Sequence, residues 1–124
     1  MDAVSVQLPP AYAFTFDGTL GSLWDRLNRH GRWTWTDGDS AWLGDYIATR
    51  AQPFDGVLRI YVDAGRFVIH VLYRSDKPDA WRDYVALHTM LVDEFLPSIG
   101  AQHIVPDEGL DVSGQGYHGP PWTR

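Results

Sequence analysis

The stretch VLRIYVDAGRFVIHVLYR, residues 57–74, restricts the fold more than any other part of the chain. Its side chains alternate about Ala64-Gly65. With Asp63 opposite Arg66, residues Leu58, Ile60, Val62, Phe67, Ile69 and Val71 share one strongly apolar face. Arg59, Tyr61, Val68, His70 and Leu72 share the other, with Arg59 opposite His70 and Tyr61 opposite Val68, close enough for cross-strand contact. Period-two alternation around a glycine turn specifies an antiparallel hairpin. A lone hairpin is barely stable in water, so the rest of the chain must cover its apolar face.

Two segments have the helical spacing to do so. Leu20, Leu23, Trp24 and Leu27 repeat at i, i+3, i+4 and i+7, Asp17 or Thr19 can cap the helix, and Gly31 supplies a left-handed stop. Asp25, Arg26, Asn28 and Arg29 form its solvated side. Residues 75–100 make the second helix, capped by Ser75 or Asp79, with Trp81, Tyr84, Val85, His88, Leu91, Val92 and Phe95 as its stripe. Tyr12, Phe14 and Phe16 alternate as a strand, and residues 102–105 suit a short returning strand. Val4, Val6 and Leu8 suit a brief edge strand before Pro9-Pro10.

The stretch WTWTDGDSAWLGDYIA, residues 33–48, reads as another hairpin with its turn at Asp37-Gly38-Asp39-Ser40. Pairing Thr36 with Ala41 places Trp33, Trp35, Trp42 and Tyr46 on one face, and Thr34, Thr36, Leu43, Asp45 and Ile47 on the reverse. The polar reverse face makes the aromatic row core, and the acids a solvated rim. The order β-α-β-β-β-β-α-β predicts an α+β fold of two layers, a mainly antiparallel sheet with two helices on one face. Residues 1–105 make a single domain. Residues 106–124, rich in Gly, Pro and Asp, form a flexible or partner-docking tail in which Tyr117 and Trp122 are the contact candidates.

Composition removes several function classes. The 124 residues contain no Cys, which excludes disulfide scaffolds, thiolate metal sites and cysteine nucleophiles. Sixteen acidic against ten basic residues give a net charge of −6, which opposes non-specific nucleic-acid binding and favours a partner with a basic surface. The N-terminus carries no basic segment followed by an apolar run, and no stretch is long enough to span a bilayer; the expectation is a cytoplasmic protein without a membrane.

Chemistry-bearing motifs are scarce. Asp37-Gly38-Asp39 resembles the start of an EF-hand loop, but the positions that need an oxygen ligand, a glycine and a bidentate acid hold Ala41, Trp42 and Ala48. The five histidines, His30, His70, His88, His103 and His118, have no metal-ligand spacing, and no metal or cofactor is expected. His88 lies on an apolar stripe and reads as a core histidine. His70 beside Arg59 and Tyr61 has the elements of an acid–base site, without a second titrating partner assigned by sequence. No nucleophile elbow or phosphate-binding loop exists.

The expectation is therefore a non-catalytic protein-binding module of the small acidic kind seen among immunity, inhibitor and anti-defence proteins. Its contact area would be an open sheet face of Tyr61, Val68, His70, Leu72 and Leu43, rimmed by Arg59 and Asp45. The same face, or the tail, would serve for self-association. The alternative is a small-ligand binding protein or hydrolase that uses Trp33, Trp35, Trp42 and Tyr46 as a stacking wall, or Arg59, Tyr61 and His70 as a polar site.

Overall fold

The computed structural model describes residues 8–40, 44–54, 56–73 and 81–108. Strand β1 (Ala11–Thr15) leads into helix α1 (Leu20–His30), followed by β2 (Thr36–Ser40), β3 (Gly44–Arg50), β4 (Gly56–Asp63) and β5 (Arg66–Tyr73). Helix α2 (Trp81–Met90) runs through a π-helical turn, Leu91–Phe95, into the short helix α3 (Leu96–Ser98), and β6 (Gln102–Asp107) is the last described strand. The strands form one antiparallel sheet in the order β2-β3-β4-β5-β1-β6, and this is the two-layer α+β fold read from the sequence.

The β4–β5 hairpin has the register its alternation dictates, with Asp63 opposite Arg66, Arg59 opposite His70 and Tyr61 opposite Val68. Ala64 and Gly65 both take positive φ, at 51° and 79°, as a tight hairpin turn requires. Helix α1 begins at Thr19, whose hydroxyl accepts from the Ser22 backbone N–H while the Ser22 hydroxyl accepts from the Thr19 N–H, and it ends at Gly31 with φ 84°. This reciprocal pair satisfies two amides that the first turn would otherwise leave open.

The first hairpin differs from expectation. Asp37-Gly38-Asp39-Ser40 is strand, not turn: Thr36 pairs with Ala48, Gly38 with Tyr46 and Ser40 with Gly44. Residues 41–43 lie outside the described residues, as do Val4 and Val6 of the expected edge strand, the expected caps of α2 and residues 109–124 of the expected tail; Pro106 and Asp107, assigned to that tail, belong instead to β6. The shift is odd in residue number, so it exchanges the faces of β3 relative to β2. Ile47 joins Ile60 and Ile69 beneath the helices, and Tyr46 moves to the helix-free face beside Tyr61. There the Tyr46 ring lies over Gly38, in the space a side chain on that edge glycine would fill.

Trp33 and Trp35 precede β2 and turn under the helices. Trp33 packs on Phe95 with ring centroids 5.0 Å apart, and Trp35 stacks on the same ring at 6.3 Å. Asn28 clamps the entering chain: its Oδ1 accepts from the Trp35 N–H at 2.8 Å and its Nδ2 donates to the Trp35 carbonyl at 3.2 Å. Asn28 is thus not merely on a solvated side. The aromatic pair is core, joined by Phe14, Leu23, Leu27, Leu58, Ile69 and Tyr84. Among the described residues, the buried Trp35 Nε1 has no hydrogen-bond partner.

Along the second helical segment the buried positions are Tyr84, Leu87, His88, Leu91, Phe95, Leu96 and Ile99. The π turn adds residues to one helical turn and brings Phe95 and Leu96 inward together. No helix among the described residues is long and apolar enough to cross a membrane.

Candidate functional site

The expected contact face is not an open surface. Tyr61 is 1% exposed, Val68 0%, His70 3% and Leu72 1%, and Ala11 and Ala13 beside them are buried as well. The sheet's second face therefore holds a small core of its own, Ala11, Ala13, Tyr61 and Val68 with Tyr46 packed against it, and these residues cannot be the exposed centre of a docking patch. Asp45 does not rim this face either. It stands opposite Asp39, on the side of the sheet that carries Ile47. Leu43 and Trp42 lie outside the described residues.

One row across the helix-free face joins Thr36, Ala48, Arg59, His70, Ala11 and Asp107. The guanidinium of Arg59 lies 5.5 Å from the centroid of the Tyr46 ring, a cation–π contact. Asp107, beyond the point where sequence alternation fades, pairs with Arg66 at 3.3 Å. Burial, and next the positive charge of Arg59, push His70 down to about 4 against the opposing pull of Asp107. A buried imidazole of that basicity is unprotonated at neutral pH and too weak a base to drive general acid–base chemistry there. Arg59, Tyr61 and His70 are brought near one another, but in the form of a packed polar strip.

His88 is likewise core. Tyr12 Oη lies 2.7 Å from His88 Nδ1, burial takes the imidazole down to about 4, and burial together with Asp93 pushes the Tyr12 phenol up to about 12. His103 and His30 make hydroxyl contacts, to Thr15 at 3.0 Å and Ser98 at 3.2 Å. Among the described residues no three His, Asp or Glu side chains converge as metal ligands would.

Two exposed features remain. The first is the free edge of the sheet. Strand β2 is terminal, and Asp37, Asp39 and Asp45 project from β2 and β3 on one side, all exposed. Asp39 and Asp45 stand directly opposite one another, and none of the three forms a salt bridge with a described residue. Like charges placed directly across a strand pair destabilise it.

The second is an open groove of about 730 Å³ where the chain entering β2 meets the end of β3. Arg32, Trp33, Thr34 and Thr36 line it from the chain entering β2, Ala48, Thr49, Arg50 and Gln52 from β3 and the turn after it, and Val57 from β4. Of the three described aromatics expected to make a stacking wall, Trp33 lines it and Trp35 and Tyr46 do not. No periodic pattern marks Arg32, Arg50 or Gln52, so sequence reasoning passed over them.

Compared with family models, curated proteins and solved structures, the chain has no match. Any functional reading of these two features rests on their own chemistry.

Proposed function

We propose that the protein is a non-catalytic protein-binding module that takes a basic, extended segment of its partner along the acidic edge of β2. The observation that carries this reading is the Asp39–Asp45 pair, set face to face on an edge hairpin with no ion-pair partner among the described residues. Such an arrangement costs stability in the isolated chain, and a partner's Lys or Arg side chains would relieve it. The unpaired N–H and C=O groups of an edge strand can pair with an incoming strand, and alternate carboxylates can read its charge. Occupying the partner's basic surface would be the mode of action, with steering that weakens as salt is added.

The test uses opposite signs of effect. Asp39→Asn should raise stability by about 0.2–1 kcal/mol, the range of a cross-strand pair, as read by urea unfolding. The triple variant Asp37→Asn, Asp39→Asn, Asp45→Asn should lose the proteins that the wild type captures from its native host at low salt. Equal capture by the triple variant, or capture indifferent to salt, would sink the proposal.

A further inference from the structure

Separately from the acidic edge, we propose that the groove between the Trp33–Thr34 segment and the end of β3 is a binding site for a small molecule carrying an oxyanion, a carboxylate or phosphate group on a compact apolar body. Both cations of the groove, Arg32 and Arg50, are exposed, and neither has an ion-pair partner among the described residues. An anion bound between two such guanidinium groups of a single cavity would be attracted by both and would offset their mutual repulsion. The chain's net charge of −6 makes this more telling, since carboxylates are abundant and no described one pairs with either arginine. Arginine is also the side chain whose planar fork matches a carboxylate or phosphate with two parallel hydrogen bonds.

The walls are fixed before any ligand arrives. Trp33 Nε1 donates to the Gln52 carbonyl at 2.7 Å, which ties the turn after β3 to the indole. The Thr49 hydroxyl donates to the Thr34 carbonyl at 2.7 Å, which ties the segment entering β2 to β3. Thr36 is held across from Ala48 by strand pairing. Arg32 itself is steadied by the indole, its guanidinium carbon 5.0 Å from the Trp33 ring centroid, so less side-chain freedom remains to be lost on binding. Thr34, Thr36 and Gln52 add neutral hydrogen-bonding groups, while Ala48 and Val57 give an apolar floor. Volume and lining fall in the range of small-ligand sites, roughly 300–1,000 Å³ with a few placed polar groups.

The experiment is calorimetric titration of the full chain with benzoate, phenyl phosphate, inorganic phosphate and, as the neutral control, benzyl alcohol. At least one aryl anion should bind, and benzyl alcohol should not; whether benzoate or phenyl phosphate binds more tightly distinguishes the two oxyanions. The double variant Arg32→Gln, Arg50→Gln should weaken that binding at least tenfold, about 1.4 kcal/mol, with an unchanged thermal midpoint. The variant pair Arg32→Lys, Arg50→Lys keeps the charge without the fork and should fall between. The proposal is overturned if none of the anions binds up to about 10 mM, the weak end of measurable affinity, or if the glutamine variant binds as well as the wild type. Binding of single-stranded nucleic acid alone, with no response to the small anions, would overturn it too. Loss of partner capture by the Asp variants bears on neither result, so the two proposals stand or fall apart.

Discussion

Between pH 6.5 and about 4 the protein should lose several kcal/mol of stability, because His70 and His88 are both held near 4 in the folded chain and return to about 6.5 when it unfolds. Burial dominates both shifts. Above 6.5 neither state takes up the protons, and the full stability is present. As the pH falls below 6.5 the unfolded chain is protonated while the folded one is not, and each histidine subtracts about 1.4 kcal/mol per pH unit until the pH reaches its folded value. A domain of this size has about 5–15 kcal/mol in total, so the two histidines together remove a large share of it by pH 4. Urea unfolding at pH 7, 6, 5 and 4.5 measures the slope. His88→Asn should remove about half of it, and a flat profile between pH 7 and 5 would show that the two imidazoles are not buried as described.

Tyr61→Ala should cost about 3–5 kcal/mol, the range for deleting a large aromatic ring from a core. Tyr61 is one of the least exposed aromatics of the chain although no described helix covers its side of the sheet. A change of less than about 0.5 kcal/mol, typical of a surface position, would return this face to the list of docking surfaces. The urea midpoint at constant slope is the measurement. The neighbouring Val68 and Leu72 should behave in the same direction, with smaller costs that follow their volume.

How much of this was legible in the sequence depended on whether a local pattern and the long-range packing agreed. In residues 57–74 they did: strict alternation, a glycine turn and an apolar face all demand one register, and that is the register found. Around residue 38 they competed. Asp-Gly-Asp-Ser has the composition of a turn, but Ile47 gains more by entering the core than those residues gain by reversing the chain, and the hairpin moves to suit it. That shift carried Asp45 away from Arg59 and Tyr46 toward it, while the burial of Tyr61, Val68, His70 and Leu72 closed the contact face expected from sequence. In the second helix, period 3.6 fails at the π turn, so Leu96 was not placed on the apolar stripe. The groove was invisible because it is assembled from three segments with no shared pattern, whereas the acids of the edge were visible as a run.

The two borders of the sheet are finished differently. At β6 the backbone carries Pro106, which has no N–H to offer, a left-handed His103 with φ 54°, and a register break against β1. These are the devices that keep a strand from accepting another. At β2 there is no proline and its pairing with β3 runs without a break. An open-ended fibre needs two receptive borders on every subunit, and of the described strands only one qualifies. Two copies meeting β2 to β2 would bring both sets of aspartates together. Under the proposed reading, strand addition at β2 would end after a single event with a chain unlike itself, and the expected stoichiometry of the complex is one to one.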